Sequence, residues 1–242
     1  MRGGARTFGA AVTRYELCCR LMFSLLVSID VSAAEAQAAE AAAVVVGDSM
    51  EYPQAQESRR YHASLYAAKW AEVNLPAFPA RIVKLDVPME PAYFVSLGFG
   101  YVLVPDFSLP LGFADLSGCD LELDGQLIKH FGLQSHVEGS LALVFRTGDA
   151  NFWDALHMNF AVGEGFSLAF ARPAYEKGPG GQRGVDSRRF QNHLLFELEF
   201  AAPSVTFVHF VVRLHHRSGI YGVISPQRTG SNYLGIGLRM DG

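Results

Sequence analysis

Two histidines, an arginine and a serine close the segment VTFVHFVVRLHHRSG, residues 205–219, and an asparagine opens the next apolar run, SNYLGIGL, residues 231–238. His216 and Ser218 are two residues apart, so in an extended chain they point the same way. An imidazole beside a hydroxyl can take its proton, and a neighbouring amide can hold the ring in its productive tautomer. His216, Ser218 and Asn232 are therefore candidates for base, nucleophile and orienting group in acyl transfer. Gly219 follows the serine and offers a backbone N–H to an oxyanion, in a turn that glycine readily makes. In a chain with eight histidines a His-x-Ser triplet carries little information alone. Its value depends on the element that carries it.

That element is a strand among strands. DLELDGQLIKHFG (120–132) alternates Asp120, Glu122, Asp124 and Gln126 with Leu121, Leu123 and Leu127. HVEGSLALVFR (136–146) and HLLFELEF (193–200) each set charged or polar residues on one face and apolar ones on the other. Successive side chains of a strand leave on opposite faces, so each segment has one polar and one apolar side. Eight such segments appear, at about 63–70, 92–104, 119–131, 135–146, 155–170, 190–201, 204–218 and 231–241. The expected fold is all-β: an eight-stranded antiparallel transmembrane β-barrel of the outer-membrane type, apolar toward lipid and polar toward the lumen. A soluble lipocalin-like barrel, with those faces exchanged, is the other way to use the pattern. A long segment at 172–188 and a tight AAPS turn at 201–204 place the N-terminus on the periplasmic side. The stretch between the second and third strands is longer than that scheme expects.

Half of the residues are apolar, and a net charge of −4 gives no basic footprint for nucleic acid. Cys18, Cys19 and Cys119 cannot build a disulfide framework or a metal quartet. Residues 1–38 read as an export signal: Arg2, Arg6, Arg14 and Arg20, then the apolar LMFSLLVSIDV, then small residues up to Ala38. Residues 39–60 read as a flexible leader, and 61–242 as the barrel. The corresponding location is the bacterial outer membrane, after export.

Polar residues of the lumen face, Glu122, Glu138, Glu197, Glu199, Arg213 and His215, are expected to fill a small barrel as an ion-pair network. His130 joins them as a lumen residue, since no second ligand sits near it at metal spacing; neither a metal nor a cofactor is expected. Glu164 shares parity with the lipid-facing Phe160 and Val162, and a bulge at Gly163 or Gly165 is expected to turn it inward. GPGGQRG (178–184) lacks the Lys-Ser/Thr of a phosphate loop and reads as a flexible outer loop.

On the seventh segment, Phe210, Val212 and Leu214 mark the lipid face, and His216 and Ser218 continue it. Asn232 shares a face with Leu234, Ile236 and Leu238 on the antiparallel neighbour. With these residues in place, RLHHRSG followed by GSNYLGIGLR resembles the C-terminal hairpin of the lipid A 3-O-deacylases (PagL type, acyloxyacyl hydrolase-like), which are eight-stranded outer-membrane esterases. The resemblance implies His216 as catalytic base, Ser218 as nucleophile, and Arg213 and Arg217 as basic contacts for lipid A in lipopolysaccharide. Two positions depart from the family: Gly219 stands where it has Asn, and Asn232 where it has an acid. A catalytically silent barrel with a structural or adhesive role is the alternative.

Overall fold

A computed structural model describes residues 60–111, 115–152, 155–177, 182–184, 186–205, 207–220, 223–224 and 229–242. The export signal, and the leader up to residue 59, lie outside the described residues. The strands are β1 (Tyr61–Ala71), β2 (Met89–Pro110), β3 (Asp115–Gly132), β4 (Val137–Arg146), β5 (Ala150–Phe152), β6 (Leu156–Ala169), β7 (Phe190–Ala201), β8 (Val208–Ser218) and β9 (Gly230–Asp241). Eight of them pair antiparallel in the order β4-β3-β2-β1-β9-β8-β7-β6, and a β4–β6 pairing closes the ring. β5 only forms a short hairpin with β6. Closure leaves no edge among the eight.

The faces are those of a barrel that crosses a membrane. Leu65, Leu97, Phe99, Leu141, Phe166 and Ile236 are exposed on the outside, while Glu122, Glu138, Glu197 and Arg217 are at most 1% exposed inside. A water-soluble barrel would show the reverse. Among the described residues no helix is long and apolar enough to cross a membrane. The long gap expected between the second and third strands closes up: β2 runs to Pro110 and β3 starts at Asp115. Register shifts near Val102, Val104 and Phe107 accommodate Pro105 and the positive φ (49°) of Asp106, whose N–H donates to the Asp120 carboxylate at 2.9 Å. The pleated hairpin thus continues where the sequence pattern breaks.

Inside, the half of the lumen nearer Tyr61 and Asp241 holds the expected ion-pair network. Arg146 donates to both oxygens of Glu122 (3.0 and 3.1 Å) and to Glu197 (3.0 Å), and pairs with Glu199 at 2.7 Å. Arg239 adds two bonds to Glu122 at 2.9 and 3.1 Å. Arg213 donates to Glu197 and lies over the Tyr66 ring, 4.1 Å from its centroid. The GIG run of β9 makes room for that ring: a Cβ on Gly237 would stand 2.3 Å from Tyr66 Cδ1. At the far end the lumen is aromatic, with Trp70, Phe94, Tyr233 and Ile128 packed together and Tyr175 against them.

The β1–β2 connection, 72–88, does not stand up into solvent. It carries the short helix α1 (Phe78–Val83) and folds down on the outside of the wall. There Phe78, Val73, Leu75 and Val87 cover Leu214, Phe196 and Leu234. Leu214 is on the lipid face of β8 yet only 8% exposed, and this strap is the reason.

Candidate functional site

β8 runs away from the end that holds Tyr61 and Asp241, so its last residues sit at the far rim. Burial alternates along it: His209, Val211, Arg213, His215 and Arg217 point inward, and Phe210, Val212, His216 and Ser218 outward. Asn232 is directly opposite His216 on β9, and its neighbours Leu234 and Ile236 show the same outward parity. The expected sidedness of all three residues is what the strands display.

The Asn232 amide is held at both ends. Its Nδ2 donates to the carbonyl of Val73 in the strap at 2.5 Å, and its Oδ1 lies 2.5 Å from His216 Nδ1. A carbonyl partner can only accept, so Nδ2 must face Val73 and Oδ1 must face the ring. The imidazole proton then belongs on Nδ1, and Nε2 is left with its lone pair available. Ser218 is half-buried, two residues along the same face, with its Cα roughly 6.5–7 Å from that of His216 at ordinary strand rise. Among the described residues no hydrogen bond joins the two side chains. Catalytic bonds of this kind are often long before substrate arrives, and the spacing is within side-chain reach. Gly219 follows β8, and its carbonyl accepts from Ile224 N–H at 3.0 Å to close the turn. Ile220 then takes a left-handed φ of 44°, a strained conformation for a β-branched residue.

Arg213 and Arg217 do not join this face. Arg217 is wholly buried in the lumen, where Nη1 donates to Glu176 at 2.5 Å and Nη2 to the Arg189 carbonyl at 2.9 Å. Arg213 is equally enclosed by Glu197 and Tyr66. A ligand lying in the acyl layer outside cannot touch either guanidinium. Both have odd parity on a strand whose outward residues are even.

Two polar residues that the sequence reading missed do join it. The register of β6 runs unbroken through Gly163, Glu164 and Gly165 against both β4 and β7, so there is no bulge and Glu164 stays on the outer face. Its partner is Asn192 on β7, whose Nδ2 donates to the Glu164 carboxylate and to the Gly165 carbonyl at 3.0 Å. Asn192 is opposite Ser218. The outer wall thus carries a polar band across four strands: Glu164, Asn192, Ser218 with His216, and Asn232. The stacked rings of Phe166 and Phe190, 5.5 Å apart, flank it on the β6–β7 side.

The far mouth is tied by the segment between β6 and β7. Residues 178–181 of its glycine-rich run lie outside the described residues, but Arg183 donates to Glu72 at 2.7 Å and lies over Tyr175 at 4.1 Å. Lys177 also donates to Glu72, as does the Trp70 indole at 2.9 Å. Burial acts to raise the Glu72 carboxyl, but the bonds from Lys177 and Trp70 and the nearby cations overcome it and hold the group below its ordinary value. Glu176 reaches deeper, accepting from Arg217, from Ser231 at 2.7 Å and from Gln191 at 3.0 Å.

No family model matches the chain, and no curated protein matches it significantly. Among solved structures it is similar to the outer membrane enzyme PagL, with 13% identity, 74% of this chain and 98% of that one covered, and a TM-score of 0.47. It is also similar to Neisserial surface protein A, at 12% identity over 76% and 98% of the two chains with a TM-score of 0.44. A third is the N-terminal β-barrel domain of Pseudomonas aeruginosa OprF, at 10% identity over 76% and 98% with a TM-score of 0.39. Likenesses this distant assign no role to any residue.

Proposed function

We propose that the chain is an outer-membrane serine esterase that removes an ester-linked acyl chain from lipid A in the outer leaflet. One observation carries the reading: His216 is oriented by Asn232 on the lipid-facing wall, with its free nitrogen on the same face as Ser218. In this mechanism Ser218 Oγ attacks the acyl carbonyl while His216 Nε2 takes the hydroxyl proton. The N–H of Gly219 supports the negative charge that develops on the carbonyl oxygen. As the tetrahedral intermediate collapses, the C–O bond to the sugar breaks and His216 returns the proton to the departing hydroxyl. Water, activated by the same imidazole, then hydrolyses the acyl-serine. Asn232 holds the ring but brings no negative charge to the imidazolium, so the base is weaker than one backed by a carboxylate.

Asn232 also supports a second reading, a silent structural or adhesive barrel, because it clips the strap to the wall through Val73. Incubation of the detergent-purified protein with lipid A vesicles, followed by mass spectrometry, separates the two. Loss of one acyl chain with the natural protein and none with Ser218→Ala is expected. Unchanged lipid A in both samples would leave only the silent barrel.

A further inference from the structure

The deepest concentration of ligand-type side chains is not on the wall but inside, in the far half of the lumen. Sequence spacing gave His130 no companion, yet the β3–β4 hairpin brings two. His130 Nε2 is 3.0 Å from Glu138 Oε2, and His136 Nε2 is 3.9 Å from the same oxygen. One donor atom from each of His130, His136 and Glu138 lies within 4.8 Å of the others. From the opposite wall, His215 Nε2 approaches the second oxygen, Oε1, at 3.2 Å. All four side chains are at most 1% exposed.

Hydrogen bonding within the protein does not account for this cluster. Glu138 already accepts from His130 and from Ser167 Oγ at 2.6 Å, and has Arg217 at 3.5 Å. Neither ring nitrogen of His136 or of His215 makes a well-aligned hydrogen bond, although each Nε2 faces Glu138. Unpaired buried polar atoms are costly, and the Nε2 atoms of His136 and His215 both face a carboxylate that His130 and Ser167 already engage. A divalent cation that favours imidazole would take up one nitrogen lone pair of each ring.

We propose that His130, His136 and Glu138, with His215 as fourth ligand, form a closed site for a divalent transition metal of the Zn²⁺ type. Zinc–nitrogen bonds of about 2.0–2.1 Å require donor atoms within roughly 4 Å of one another, so His130, His136 and Glu138 need to close in by only about an ångström, while His215 reaches the group through Glu138 Oε1. The second shell is in place. The Gln134 amide faces His130 Nδ1 at 3.4 Å and is itself bonded to Tyr233 Oη at 2.6 Å. Arg217 keeps Glu176 and the Arg189 carbonyl when a metal takes its place beside Glu138. The metal would join the β3–β4 hairpin to β8 across the lumen.

The test uses the detergent-purified natural protein and Zn²⁺ alone, measured by equilibrium dialysis with metal analysis, and Co²⁺ for the visible spectrum of a tetrahedral site. One Zn²⁺ per chain is expected, with affinity falling at least about tenfold in His136→Ala and in His130→Ala. His136→Ala removes no side-chain hydrogen bond, so its fold should persist, and unchanged heat-modified electrophoretic mobility would verify that. His209→Ala, in the lower ion-pair network, should bind as the natural protein does. Equal affinity in the natural protein and His136→Ala, or no stoichiometric binding at all, would overturn the site. Ester hydrolysis plays no part in this readout, so either proposal can fail without the other.

Discussion

Asn232 does two jobs with one amide, and substitution can separate them. In Asn232→Ala, His216 Nδ1–H loses the acceptor at 2.5 Å and the Val73 carbonyl loses its donor at 2.5 Å. A hydrogen bond to a group that becomes charged is worth about 1.5–3 kcal/mol. At ~1.4 kcal/mol per decade this corresponds to a roughly 10- to 150-fold lower turnover. Asn232→Asp keeps the acceptor and adds a charge facing the imidazolium. Replacing a neutral bond with a charge-assisted one gains about 1 kcal/mol, or roughly fivefold in rate. The same change removes the donor to Val73 and sets two oxygens against each other, so the strap should loosen. Fatty acid release from lipid A in mixed micelles at pH 8 should therefore rank Asp above Asn above Ala, while thermal stability ranks Asn above Asp. If Asn232→Ala turned over within twofold of the natural protein while Ser218→Ala was inactive, the orienting role would be refuted.

Two further outcomes concern the interior and the mouth. Arg146→Met removes the cation shared by Glu122, Glu197 and Glu199, leaves Arg239 and Arg213 to hold one buried charge too many, and should cost about 3–5 kcal/mol, read by urea unfolding in detergent; a loss below about 1 kcal/mol would contradict a network held by that guanidinium. The Glu72 carboxyl is held low, so its contribution is complete above its unfolded value of about 4.3 and disappears as pH falls through the lower folded value. Trp70, bonded to Glu72, should report that loss as a change in emission at acid pH, absent in Glu72→Gln; the same response in the variant would assign it to another group.

Strand periodicity was enough to read the ring, because every barrel strand here has one face in each medium. The failures came where a residue's partner lies on another strand. Parity placed Glu164 outside, and only the cost of a charge in lipid argued for a bulge; Asn192, one strand over, supplies the hydrogen bond that makes the outward position tolerable. Parity also placed Arg213 inside, and the resemblance alone suggested a substrate contact. His136 and Glu138 follow His130 closely in sequence, but it takes the β3–β4 hairpin to fold them back onto it and ring closure to bring His215 across. The strap was illegible for a related reason: residues 72–88 show no period, and their docking on Leu214 depends on a surface made by three other strands.

That strap makes access to the wall one-sided. The row beneath His216, Leu234 on β9, Leu214 on β8 and Phe196 on β7, where hydrocarbon would otherwise lie, is covered by Phe78, Leu75 and Val87. In the proposed reaction a fatty tail would reach Ser218 from the uncovered side, past Asn192 and Glu164 and along the Phe166–Phe190 pair. The barrel is a closed ring, but its outer surface has a front and a back.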